Sequence, residues 1–225
     1  PILSDFRKEP RRVSTLGTLT LDLAFVFLGV TVMTALWGRR IGSAPLLKLS
    51  ERSVYVVAGM LTLGVLTLMA LVFSNDFSVK MVHASSSRTL PWYFKASLLW
   101  VNLESSMLFW AWVLSIASAL AVRLHRRTLA DLVPIASVVL MLALGFFMYL
   151  LQFHKNPFDE FLVEMPTLGN GMRPMLRNPW MLVHPPAQYF GYIGTTVPFA
   201  FCIAALLRPE GDGRMSDQWL RSMRP

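Results

Sequence analysis

Cysteine is almost missing from this chain: of 225 residues only Cys202 carries a thiol. An internal disulfide is therefore excluded, and a Cys-rich metal centre has no ligands to draw on. Charge is also scarce, at 15% against a soluble norm of about 25%. The motifs of soluble catalysis are missing too. The sequence has no G-x-S-x-G elbow, no Gly-rich phosphate loop ending in Lys-Ser/Thr, and no H-E-x-x-H. It has no internal repeat and no low-complexity tract, and none of its apolar segments resembles a cleavable signal peptide.

Apolar residues are abundant, at 54%, and they fall in long uncharged blocks. A helix needs about 20 such residues to cross the hydrocarbon core. Five blocks qualify: Leu16–Trp37, Ser53–Phe73, Ala96–Val122, Leu132–Leu151 and Ala187–Leu207. The expected fold is an all-α polytopic bundle. A basic arm (1–15) precedes the five-span membrane domain (16–207: 16–37, 53–73, 96–122, 132–151, 187–207), and a tail (208–225) follows it.

The formal net charge is +8, which in a soluble protein would suggest nucleic acid. Here the basic residues flank the spans, so topology explains them better and no nucleic-acid partner is expected. Arg39, Arg40, Lys48, Arg52, Arg123, Arg126, Arg127, Arg208, Arg214, Arg221 and Arg224 fall in one set of connections. The opposite loops, 74–95 and 152–186, are longer yet hold only Lys80, Arg88, Lys95, Lys155, Arg173 and Arg177. By the positive-inside rule the first set is cytoplasmic, which puts the N-terminus outside. Arg7, Lys8, Arg11 and Arg12 in the arm oppose that orientation.

Loop 152–186 is too long for a passive connection. Pro157, Pro166, Pro174, Pro179 and the Pro185-Pro186 pair stiffen it. Phe158, Phe161, Leu162, Met172, Met175, Leu176, Trp180, Met181 and Leu182 give it a core of its own. An ordered loop lying on the membrane surface is expected. The thirteen methionines are spread over spans and loops and read as packing.

Four histidines are available. His184 stands at the mouth of the fifth span, its direction fixed by two prolines in the first helical turn. From position alone two readings stay open: a ligand for iron or a similar metal, or an imidazole that caps the interface by hydrogen bonding. His83 reads as solvated loop, His125 as topology signal and His154 as interfacial.

Glu104 is the conspicuous charge of the third span, nine residues beyond Lys95 and so roughly 14 Å along a helix. At that depth it should face the bundle, pair or stay protonated. Asn102, Ser106 and Trp110 would lie on one face of its helix at i, i+4 spacing. A quinone, proton or cofactor contact and plain interhelical polar packing both fit. Asp22, nearer the end of the first span, reads as a packing residue.

Three runs together resemble the N-terminal portion of the CcmF-type cytochrome c haem lyases. The first is Phe73-Ser-Asn-Asp-Phe-Ser-Val-Lys-Met-Val82 with Leu90-Pro91 and Tyr93. The second is Trp100-x-x-x-Glu104-x-Ser106-x-x-x-Trp110. The third is Asn156-Pro157-Phe158, Gly169 to Pro174, Asn178-Pro179, His184-Pro185-Pro186, Tyr189, Gly191-Tyr192 and Val197-Pro198-Phe199.

The resemblance implies a protein that joins haem vinyl groups to the Cys-x-x-Cys-His thiols of apocytochrome c on the outer membrane face. Haem would arrive from a small carrier protein, and His184 would be one axial ligand. Trp100, Glu104 and Trp110 would be cofactor-binding candidates. No catalytic residue is implied in this chain. A bacterial inner membrane is the expected location, with a mitochondrial inner membrane as the alternative.

Two departures stand out. The glycines around the family's glutamate are replaced by Val101, Asn102 and Ser105. The family's Trp-rich segment and remaining haem ligands would fall beyond Pro225, so the haem site would need a C-terminal portion or a second chain. A non-catalytic scaffold subunit of a respiratory or assembly complex is the competing expectation.

Overall fold

The structure is a computed structural model that describes residues 9–161 and 166–207, with side chains from Val13 onward. Among the described residues seven α-helices follow one another: α1 (Glu9–Ile41), α2 (Ala44–Ser74), α3 (Lys80–Ser85), α4 (Trp92–Val101), α5 (Leu103–His125), α6 (Val133–Phe153) and α7 (Trp180–Leu206). A 3-10 turn, Pro174–Leu176, lies in the long loop. Among the described residues there is no strand, only one isolated bridge between Val79 and Glu160. Five helices among the described residues are long and apolar enough to cross a membrane: α1, α2, α5, α6 and α7. The all-α, five-span expectation therefore holds.

The helices overrun the apolar blocks that announced them. Hydropathy marks only the stretch matched to lipid, whereas backbone hydrogen bonding carries a helix into the interface. Thus Arg39 and Arg40 form the last turn of α1. Only Gly42 and Ser43 separate it from α2. Gly42 takes φ +66°, open to glycine without strain, and the Ser43 N–H closes the turn on the Gly38 carbonyl at 2.9 Å. The arm 1–15 lies mostly outside the residues whose side chains are described, and the tail 208–225 lies wholly outside the described residues.

The third span is a correction. Ala96–Val122 is not one helix: the chain leaves helical geometry at Asn102 (φ −96°, ψ 156°) between α4 and α5. Asparagine competes for backbone hydrogen bonds and favours such breaks. Its side chain accepts from Ser85 Oγ at 2.8 Å, anchoring the break to α3. Ser105 Oγ reaches back across it to the Leu98 carbonyl at 2.5 Å. Asn102 is therefore not on a helical face with Ser106 and Trp110.

Helices α2, α5 and α6 supply the centre of the bundle. Leu61, Leu68, Leu108, Leu114, Leu140, Met141, Leu144 and Met148 are fully enclosed there. Leu16, Leu19, Leu23, Val26, Met33 and Leu36 of α1 face outward, as expected of a helix bounded by lipid. Many polar groups within the spans find partners, although Tyr55 Oη and Gln152 Oε1 are buried without one. Ser50 Oγ donates to the Thr31 carbonyl at 3.1 Å, Trp112 Nε1 donates to Thr62 Oγ1 at 3.0 Å, and Gln152 donates to Asp22. Asp22 is thus the packing residue its position suggested.

The ends of the bundle differ. One end, here the turn end, carries the α1–α2 turn, the connection after α5 and the end of α7. The other, the loop end, carries α3, α4 and the long loop.

Candidate functional site

The loop end is built from short polar motifs. Asn75 closes α2 in the left-handed conformation (φ 57°), and its side-chain oxygen accepts from buried Lys95 at 2.7 Å. Asp76 then folds a tight turn by accepting from the Ser78 N–H and hydroxyl at 3.1 and 2.6 Å. The long loop docks against this segment. The Lys80 N–H donates to the Asp159 carbonyl at 2.8 Å, and the Phe161 N–H donates to the Ser78 carbonyl at 3.0 Å. The Asn170 and Gly171 N–H groups donate to the His83 and Ser86 carbonyls at 2.8 and 3.0 Å. Gly169 passes so close that a Cβ there would overlap the Ser86 carbonyl oxygen. Phe158 is buried against Gly17 of α1, and Ser14 donates to Glu160. Among the described residues the expected ordered loop is present, although Leu168, Met175 and Trp180 stay exposed, and Leu162 lies outside the described residues.

His184 sits one turn inside α7, because the helix begins at Trp180 and not at Ala187. Pro185 and Pro186 are consequently inside the helix. Proline has no N–H, so Pro185 leaves the Met181 carbonyl without its usual i+4 donor. Trp100 of α4 supplies the replacement: its Nε1 donates to the Met181 carbonyl at 2.8 Å. Two sequence motifs far apart in the chain are thereby joined by one bond, and that bond holds the turn bearing His184. Sequence reading missed the pairing. The signal available was the proline itself, which strips a donor and so requires a substitute.

The four imidazoles divide cleanly. His83 Nδ1 donates to the Leu168 carbonyl at 2.8 Å and its ring meets Phe161 edge-on. It is a clasp for the long loop, not solvated filler. His125 Nδ1 donates to the Ala121 carbonyl at 3.0 Å, and its ring lies 5.0 Å from that of Phe201. His154 Nε2 lies 3.5 Å from the Tyr149 hydroxyl. His184 is exposed and makes no hydrogen bond among the described residues. Trp180, Val183 and Phe190 around it on α7 are exposed as well.

The remaining candidates fall in separate places. Because α5 starts at Leu103, Glu104 stands in its first turn at the loop end instead of deep in the span. A carboxylate there complements the positive end of the helix. It pairs with Lys155 at 3.5 Å. Together with Lys80, Asn102, His154 and Asp159 this pair lines a polar cleft of about 290 Å³. Trp110 stacks on Phe147 and Tyr192 with centroids 5.4 and 5.9 Å apart, and also meets Tyr189. It is an aromatic joint between α5, α6 and α7. The residues singled out by sequence thus fall into separate groups: Trp100 with the α7 turn that bears His184, Trp110 with Tyr189 and Tyr192 further along α7, and Glu104 with Asn102 and His154 at the cleft.

No group of three or more His, Cys, Asp or Glu side chains able to hold a metal occurs among the described residues. An iron-binding role for His184 would thus be as a single ligand. Its exposed, unpartnered ring beside Trp180 fits that role: one nitrogen is open for coordination and an apolar surface adjoins it.

Comparison with known proteins agrees with this architecture. A family model described as cytochrome C assembly protein matches residues 100–224. The cytochrome c-type biogenesis protein CcmF of Haemophilus influenzae is 31% identical, covering 95% of this chain and 32% of that protein. The protein of the same name from Pseudomonas aeruginosa is 34% identical over the same shares. The chain spans about a third of the length of these curated relatives. A solved structure titled cytochrome c heme lyase CcmF has the same fold, with a TM-score of 0.74 at 24% identity, covering 94% of this chain and 32% of that one.

Proposed function

The chain belongs to the cytochrome c assembly family, and on that premise we propose that it forms part of a cytochrome c haem lyase. In this reading it helps present haem, as substrate, for thioether attachment to apocytochrome c. His184 is one axial ligand to the haem iron, and the other parts of the site come from a C-terminal portion or a second chain. The haem supplies the vinyl groups to which the thiols of apocytochrome c are joined. What this chain supplies is position: α7 points the imidazole, the proline pair stiffens its turn, and Trp100 ties that turn to α4.

The observation that carries the proposal is the contrast among the histidines. Three are engaged in hydrogen bonds within the protein, and His184 is exposed and free among the described residues. A neutral imidazole coordinates iron through one ring nitrogen, and His184 has no hydrogen-bond partner competing for it among the described residues.

The loop end then faces outward, where a haem carrier protein and apocytochrome c would dock. The bias of Arg39, Arg40, Lys48, Arg52, Arg123, Arg126 and Arg127 toward the turn end supports that orientation. The location proposed is the bacterial inner membrane.

The test is His184→Ala in the assembled complex, scored by covalent cytochrome c and by the haem absorption of the purified complex. Both should fall at least about tenfold, a loss of roughly 1.4 kcal/mol in site occupancy. Undiminished yield would remove His184 from the mechanism. A second reading, a scaffold without chemistry, draws on Val101, Asn102 and Ser105 at the Glu104 motif. It predicts that the wild-type complex assembles yet binds no haem.

A further inference from the structure

The turn end carries a feature that haem handling does not use. Met33, Leu36, Trp37, Arg39 and Arg40 line a shallow hollow of about 580 Å³ along the last two turns of α1. Its wall is apolar and open: Met33, Leu36 and Trp37 are 66%, 45% and 59% exposed. Its rim is cationic. The bland explanation is that Arg39 and Arg40 merely complement the negative end of the helix and mark topology.

Two facts exceed that explanation. Arg39 is poorly served by its own chain. Its Nη1 is buried without a hydrogen-bond partner, and its Nη2 makes one long bond to the Leu207 carbonyl at 3.4 Å. A guanidinium in this condition gains from any acceptor that approaches its remaining donors. Among the described residues, moreover, neither arginine has a carboxylate partner: the ion pair found there is Lys155 with Glu104, at the opposite end. The rim therefore presents two positive charges directly above a bare apolar wall.

We infer that this hollow binds an anionic phospholipid, with the headgroup phosphate held by Arg39 and Arg40 and an acyl chain along Met33, Leu36 and Trp37. Charge complementarity selects an anion, and the apolar wall selects one carrying a hydrocarbon tail. Trp37 belongs at this level, since its ring is apolar and its N–H seeks the polar boundary. The site lies where a lipid headgroup layer meets the end of a spanning helix.

The experiment is native mass spectrometry of the full chain in mixed micelles containing phosphatidylglycerol or phosphatidylcholine. Each basic residue near an anionic surface is worth about a factor of five, so two give roughly 30-fold preference for phosphatidylglycerol. Arg39→Gln with Arg40→Gln should abolish the preference, and the paired Lys substitutions should keep most of it. Should the double Gln variant fail to fold, exposed Arg40→Gln alone should lower the preference about fivefold.

Equal retention of the two lipids by the wild type would overturn the inference, as would an unchanged preference in the Gln variants. Displacement by inorganic phosphate would also overturn it, by showing a free-anion site. So would a preference that emerges only when Glu210, Asp212 and Asp217 are neutralised, because the chain's own tail would then be the occupant.

Discussion

Helices α6 and α7 both qualify as membrane spans, yet half of α6's most apolar window is buried inside the protein and only 22% of α7's. Side by side they show that hydropathy reports the solvent a helix tolerates, not the neighbours it has. Helix α6 spends its apolar residues on internal packing: Leu140, Met141, Leu144, Met148 and Leu151 are enclosed. Helix α7 commits only Ile193, Ala200, Phe201 and Ala204. Its exposed residues include Trp180, Val183, His184, Phe190, Tyr192 and Phe199. A helix with that much unspent surface and a free imidazole is suited to meeting something outside this chain. The three prolines of α7 point the same way, since each removes a backbone bond and makes the helix depend on outside partners.

The comparison breaks most visibly if the two helices respond alike to truncation. Leu144→Ala in α6 should cost about 2 kcal/mol. That is the low end of the range for soluble cores, because lipid replaces water as the alternative environment and only packing is lost. Phe190→Ala in α7 should cost under about 0.5 kcal/mol in the isolated chain, as expected for an exposed side chain. Unfolding in mixed micelles measures both. Equal costs would mean that α7 is packed as tightly as α6. A Phe190→Ala defect that appears only in the assembled complex would locate the missing neighbour.

A smaller effect tests how α7 is held. Trp100→Phe keeps an aromatic side chain, though a smaller one, and removes the donor to the Met181 carbonyl, leaving a part-buried acceptor without a partner. The expected cost is about 1 kcal/mol, the usual penalty for one unmade hydrogen bond. The telling control is Pro185→Ala in the same background. It restores a backbone donor to that carbonyl and should recover most of the loss. If Trp100→Phe is silent and Pro185→Ala adds nothing, the indole bond does not position His184.

The part of this architecture that was legible in sequence is the part governed by lipid. Five apolar blocks predicted five spans because bilayer thickness sets a length that composition alone can meet. The break at Asn102 was hidden, since residues 96–122 are continuous in hydropathy and the cause is a bond from Ser85 of another helix. The early start of α7 was hidden because Pro185 and Pro186 looked like a first turn, when they are interior. His184 could be named from its motif. Its freedom could not, because freedom is known only after the other three imidazoles are seen to be engaged.

The weakest expected effect concerns Glu104, and it sharpens what the loop end does apart from α7. The carboxylate pairs with Lys155 just beyond α6, both side chains partly open to solvent. Exposed pairs of this kind contribute about 0–1 kcal/mol, and the helix start adds a few tenths more. Glu104→Gln should therefore lower stability by less than about 1 kcal/mol, and Lys155→Met should do about the same. In a double-mutant cycle the coupling should stay below about 0.5 kcal/mol. If that holds and covalent cytochrome c is unaffected, the cleft is a structural joint and the chemistry belongs to the α7 side. If Glu104→Gln is structurally silent yet stops cytochrome maturation, the assignment reverses. The cleft with Glu104, Lys155, His154 and Lys80 would then be part of the reacting surface, and the burial contrast between α6 and α7 would no longer locate it.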